Sequence, residues 1–243
     1  MKICSLRFSI DSHAQWAPGL VASEDWGRWA AAPFPINGDD EPRVLAMPAM
    51  LRRRAGWLGK MALEVAYACV GEERDMPIVY CSRHGEVARA VDLLGDLARG
   101  ETPSPTSFGM AVHNASVALL TIARKDTANH IALAAGSASI EHALIEACGL
   151  LADGAPAVLV LAADCPLPGL FAQFEDCEEQ PHAWAWRVVP ARDDAISLAW
   201  EACADTSDSA EPGGLAALRF QLGGARQMER IAERRRWRWS RDA

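Results

Sequence analysis

The chain has 243 residues, 50% hydrophobic and 23% charged, with a formal net charge of −8. That length supports a sizeable core in one large or two small domains. The acidic balance argues against non-specific nucleic-acid binding by the main body, and no apolar run approaches the eighteen residues a membrane-spanning helix needs.

The start, MKICSLRFSIDSH, has neither a long apolar core nor a cleavage site, so no signal peptide is expected and the chain reads as cytoplasmic. Residues 2–10 alternate as a strand. The following stretch is rich in Trp, Pro, Gly and acids without clear period and reads as an excursion packed by Trp16, Trp26 and Trp29. Pro48 then lies near a helix start, and Leu58, Met61, Ala62, Val65, Ala66 and Cys69 carry helical spacing. MPIVYCSRHG (76–85) is a short buried strand, and EVARAVDLLGDLARG an amphipathic helix stopped by Gly100. A Pro/Ser/Thr loop over 101–109 leads into a helix from about Met110.

TANHIALAAG reads as a strand, SASIEHALIEACGLLADG as a helix, and APAVLVLAAD as a strand buried on both faces. HAWAWRVVPA (182–191) is a strand; its Trp184 and Trp186, two apart, share one side. AISLAWEA (195–202) is a strand or the start of a helix. DTSDSAEPGG is a surface loop, LAALRFQLGG a last strand, and the tail a final helix. The tail, 226–243, holds seven Arg against three acids, a local +4 that leaves −12 on the remainder. Its arginines either pair with the protein's own acidic surface or make an interaction module with two nearby tryptophans, for an acidic partner or nucleic acid. Seven scattered cysteines without a CxxC pair fit reduced, mostly buried thiols, so no disulfide and no metal site is expected. The strand–helix alternation predicts an α/β fold with part of the sheet parallel.

The turn between TANHIALAA and the next helix carries Gly136, Ser137 and Ser139. A nucleophile elbow of the G-x-S-x-G kind needs glycines two residues either side of its serine. Ser137 has Ala135 and Ser139 there, and Ser139 has Ser137 and Glu141. A serine acyltransferase or hydrolase using Ser137 is therefore the weaker reading. Glu141 and His142 do not form a relay with a serine, because neighbouring residues point about 100° apart on a helix; Glu141 instead favours the positive end of the helix dipole.

Residues 103–164, from PSPTSFGMAVHNASVALL to ADGAPAVLVLAAD, resemble the N-terminal half of the β-ketoacyl synthases of the thiolase fold. PIVYCSRHGEV resembles that family's second strand and turn. The resemblance implies a thiolase-like half-fold with a mixed, mostly parallel sheet flanked by helices. It implies a synthase-like domain over 1–225 followed by the basic tail at 226–243. Counting from Gly154 places Ser137, or with a one-residue slip Gly136, where the family has its nucleophilic cysteine. Serine needs an adjacent general base where a thiolate does not. The family's two later histidines and lysine also find no match, since no histidine follows His182 and the lysines are Lys2, Lys60 and Lys125.

A synthase-like chain without its cysteine resembles the chain length factors of type II polyketide systems. The short form with SPTSF…HNA resembles the ketosynthase-like subunits of bacterial aryl polyene pathways. The resemblance implies no catalytic residue of its own and no cofactor. It implies a heterodimer with a catalytic β-ketoacyl synthase, reached by an acyl carrier protein through the complex, with no nucleic acid and no membrane span. Phe108 and Met110 would cap the partner's acyl tunnel or pack in the core; His113 and Asn114 would bond backbone groups of their loop or touch substrate. Ser137 completes this set. The helix after the elbow is apolar nearly all round, so it needs cover from later segments or another subunit, and NHIALAA would pair across a dimer two-fold.

Overall fold

The strand Val158–Asp164 sets the architecture, because its unbroken apolar run has two faces to bury. Val158, Val160 and Ala162 point into one core and Leu159, Leu161 and Ala163 into another, as the two-residue period of a strand requires. The computed structural model describes residues 4–205 and 209–242, so Lys2, Ile3 and part of the loop expected at 205–214 lie outside the described residues.

In chain order the elements are β1 (Cys4–Trp16), α1 (Ser23–Ala31), α2 (Ala49–Arg52), α3 (Trp57–Val70), β2 (Ile78–Cys81), α4 (Val87–Ala98), α5 (Pro105–Gly109) and α6 (Ala115–Arg124). They continue with β3 (His130–Leu133), α7 (Ser139–Ala152), β4 (Val158–Asp164), β5 (His182–Pro190), β6 (Ile196–Ala202), α8 (Gly213–Leu222), β7 (Gln227–Ala232) and β8 (Arg235–Arg241). The strands form one sheet in the order β3-β2-β4-β5-β1-β6-β8-β7. Helices α3 and α6 cover one face; α1, α7 and α8 cover the other. Trp184 and Trp186 of β5 stack 4.1 Å apart in the core under α1, α7 and α8, while Ala183 and Ala185 give α3 close access to the opposite face.

The α/β class stands, but the sheet is not mostly parallel. Among the described strands only β2–β3 and β2–β4 pair in parallel; β4–β5, β1–β5, β1–β6, β6–β8 and β7–β8 are antiparallel. The parallel strands are linked through helices, α4 to α6 between β2 and β3 and α7 between β3 and β4, as parallel pairing requires. Between β4 and β5 the chain turns back through a 3₁₀ turn at Gly169–Phe174, and α8 lies between β6 and β7.

Four local expectations change. The Trp-rich excursion contains α1, which buries Trp26 and Trp29. The helix expected from Met110 starts at Ala115, after the short α5, whose Ser104 side chain accepts the Ser107 N–H at 3.3 Å. LAALRFQLGG is the helix α8, not a strand: an apolar run of this length fits either, and this one is buried almost all round. The tail is no helix but the hairpin β7–β8, which sends Trp237 and Trp239 into the core. No helix among the described residues is long and apolar enough to cross a membrane.

Candidate functional site

The parallel strands β2, β3 and β4 end on one side of the sheet, and the turns that leave them gather the polar residues of interest. Gly136 begins the elbow after β3 with φ +56°, a backbone state that suits glycine. Ser139 staples the turn: its hydroxyl donates to the Gly136 carbonyl at 2.8 Å and accepts the Ala135 N–H at 2.9 Å. Ser137 is buried between them, 7% exposed.

The C-terminal hairpin reaches this elbow. The Ser137 N–H donates to Glu233 Oε1 at 3.3 Å, and the Ser137 carbonyl accepts Arg230 Nη2 at 3.2 Å. Arg230 Nη1 also pairs with Glu141 Oε1 at 2.5 Å, with both side chains buried. His142 turns elsewhere: its Nδ1 lies 2.9 Å from the Ala138 carbonyl and its ring sits edge-on to Trp237, centroids 5.5 Å apart. Glu141 and His142 thus go to separate partners, as their adjacency on the helix predicts, and Glu141, in the first turn of α7 as expected, is held by an arginine as well. The late segments, α8 and the hairpin, provide the cover that apolar α7 needs. Gly213 allows this approach, since a Cβ there would come within 3.0 Å of both Arg230 and the Ser137 carbonyl.

A second polar cluster lies beside the elbow, where β2 and β4 end. Asp164 accepts the Ser82 hydroxyl at 3.1 Å and the Arg83 N–H at 2.7 Å, and the Ser82 hydroxyl in turn accepts the Gly85 N–H at 2.9 Å. His113 Nε2 lies 2.8 Å from the Ser82 carbonyl, so this residue ties its loop to β2. Asn114 is the N-cap of α6 without a side-chain cap bond. His182, across from Asp164 in the β4–β5 register, places Nδ1 2.8 Å from the Gln180 carbonyl. Burial pushes Asp164 above the usual carboxylate range and pushes His182 below the usual imidazole value, with their mutual attraction opposing both shifts.

The cluster's outer rim holds Arg83, His84, Asp176, Cys177 and Glu179. The ligand atoms of Asp176, Cys177 and Glu179 lie within 4.8 Å of one another, but Arg83 already sits among them. It pairs with Asp176, donates to Cys177 Sγ at 2.6 Å and lies 3.7 Å from Glu179. Burial raises the Cys177 thiol to about 11, away from the thiolate that binds metals. The group is arranged as an ion-pair knot.

Phe108 lies within the short α5 and Met110 is its C-cap. Phe108 is 71% exposed, whereas half-buried Met110 packs against the core under α3 and α6. Neighbouring Val112, with Leu94 and Leu97 on α4, is also exposed. Part of the tail's charge is paired within the chain, Arg230 with Glu141 and Arg236 and Arg238 with Glu201 and Glu229, while Arg226, Arg234 and Arg235 are exposed; Trp237 and Trp239 are buried. Arg230, Glu233 and Asp164 did not stand out in the sequence as site residues. The alternation in RRWRWSR was the available signal for a strand; nothing local marks Glu233.

The sequence matches the model of the family described as β-ketoacyl synthase, N-terminal domain, over residues 26–240. Comparison with curated proteins gives no match. Among solved structures, the ketosynthase (ApeO) in complex with its chain length factor (ApeC) from Xenorhabdus doucetiae is similar with a TM-score of 0.86 and 29% identity, over 97% of this chain and 100% of the matched one. A β-ketoacyl synthase from Burkholderia phymatum STM815 gives 0.60 and 16%, over 89% and 69%. The ishigamide ketosynthase/chain length factor gives 0.54 and 14%, over 82% and 64%. These last two speak for the fold alone.

Proposed function

Because this chain belongs to the β-ketoacyl synthase N-terminal-domain family, we propose that it is a non-catalytic, chain-length-factor-like subunit that pairs with a cysteine-bearing β-ketoacyl synthase. The pathway we infer is a type II, fatty-acid-like one of the aryl polyene kind, working in the cytoplasm on chains held by an acyl carrier protein. The observation that carries the reading is the end-to-end match to a chain of a ketosynthase–chain length factor complex, complete over that chain's length.

Three features of the site support it. The elbow has Gly136 and Ser137 where the family resemblance puts a thiol, and a hydroxyl is a far weaker nucleophile near neutral pH than a thiolate. Strand β3 forms one edge of the sheet, paired among the described residues with β2, so its outer side is open to a strand from the partner. Phe108 projects from the loop that the resemblance assigns to the shared acyl tunnel, and its exposed ring is available to cap that tunnel from outside the catalytic subunit. Met110, His113, Asn114 and Ser137 would support that loop and the elbow behind it.

The test is co-expression with a candidate cysteine-bearing ketosynthase. A stable one-to-one complex whose elongation products differ from those of the ketosynthase alone supports the reading. No complex and unchanged products contradict it.

A further inference from the structure

Ser137 is held at both ends of its peptide by one hairpin. Arg230, on β7, donates to its carbonyl, and Glu233, in the turn that follows, accepts its N–H. Gly136 presents the same relationship from the other side: a Cβ at this position would overlap the Glu233 carboxylate. Gly136 and Glu233 are themselves exposed while Ser137 beneath them is buried, so the carboxylate lies at the mouth of the turn.

The backbone that delivers Glu233 is unusual. Glu233 and Arg234 form the two-residue connection of the hairpin, with φ +51° and +57°. Such turns favour Asn, Asp and Gly, and a glutamate in this conformation is uncommon. Residues kept in sparsely populated backbone states persist where surrounding contacts fix them. Here the contact at hand is the one with the elbow. The buried Arg230–Glu141 pair fixes β7 against α7 just below it.

We propose that Glu233 is a stopper: the hairpin tip closes the elbow by occupying the space over Gly136 and the amide of Ser137. Closure is therefore built in twice, once by the missing thiol and once by this side chain. A nucleophile returned to the turn stays shielded while Glu233 is in place. The hairpin tip is a positioning element that keeps an acyl group out of this elbow. The shielding of the elbow rests on the contact alone; that the excluded group is an acyl chain rests on the proposed function.

Two measurements test it on the full chain. In the first, Ser137→Cys is made alone and together with Glu233→Ala, and iodoacetamide labelling of the introduced thiol is followed by peptide mass spectrometry. Labelling about tenfold or more faster in the double variant is expected, because reactivity follows local access. Glu229→Ala, which removes a hairpin carboxylate that pairs at the surface with Arg236 and Arg238, should not speed labelling. Equal rates with and without Glu233, or an equal gain from Glu229→Ala, overturn the proposal. The second measurement needs no introduced thiol. Hydrogen exchange at the Ser137 amide should be about tenfold faster in Glu233→Ala than in the unaltered chain; an unchanged rate overturns the proposal as well.

Discussion

Arg230 and Glu141, 89 residues apart in sequence, form a buried ion pair at 2.5 Å that joins the C-terminal hairpin to the elbow helix. Removing one member of such a pair strands the other charge in a dry setting, at a cost of about 3–5 kcal/mol, whereas replacing both with apolar groups is often close to neutral. Arg230→Met should therefore lower the free energy of urea unfolding by an amount in this range. Adding Glu141→Leu should recover most of the loss, the residue being the Arg230 bond to the Ser137 carbonyl.

Gly136→Ala should destabilise the chain by about 1–2 kcal/mol, since a non-glycine residue pays that for left-handed backbone. The Glu233 carboxylate, at the flexible end of its side chain, would be displaced without a large further penalty. Ser139→Ala would loosen the same turn by removing two hydrogen bonds, each worth about 1 kcal/mol. Denaturant midpoints measure both.

His182 gives the fold a pH dependence. Its pKa in the folded chain is held below 6.5, chiefly by burial, so the unfolded chain binds the proton more readily. Stability is then fully present above the unfolded value and declines as pH falls from about 6.5 toward the folded value. Asp164 acts with the opposite sign in a lower window: its raised pKa favours the folded chain below the usual carboxylate value, and this contribution is lost as pH rises through the folded pKa. The stability difference between the unaltered chain and His182→Gln should therefore change between pH 7.5 and pH 5.5, with the unaltered chain losing more on acidification. Parallel curves for the two would contradict the assignment.

Much of the fold was legible in the sequence because its strongest signals are local and periodic. The run VLVLAAD has the length and continuity of a doubly buried strand, and SASIEHALIEACGLLA the spacing of a helix; both hold. The turn between β3 and α7 was legible from its small residues. LAALRFQL misled because a fully buried helix and a buried strand share an unbroken apolar pattern. The tail misled because its arginine charge masked the alternation that places Trp237 and Trp239 on one side. The parallel bias misled because pairing beyond β4 depends on connections that carry no periodic signal. The Glu233–Ser137 contact spans 96 residues and involves an exposed acid, so no local pattern could announce it.

The hairpin's tryptophans are structural. Trp239→Ala should cost about 3–5 kcal/mol, as large aromatic-to-alanine changes in a core do, since Trp239 is 1% exposed and packs on Phe220 of α8 with centroids 5.9 Å apart. Ending the chain before residue 226 should leave α7 partly bare and give an aggregating product; a well-folded, monomeric one would show that the tail is dispensable to the core.

Phe108 separates partner binding from folding. Its exposure predicts that Phe108→Ala changes stability by less than about 0.5 kcal/mol. Truncating an aromatic anchor at the centre of an interface costs about 2 kcal/mol or more of binding. Calorimetric titration against the ketosynthase, beside a melting curve of the free variant, reads the two effects separately.

The most direct test of the account is a condensation assay with purified components, supplying acyl- and malonyl-carrier protein to this chain alone, to the ketosynthase alone, and to the pair. The account predicts no carbon–carbon bond formation by this chain alone and a product length set by the pair. Chain extension by this polypeptide in the absence of a ketosynthase would contradict it.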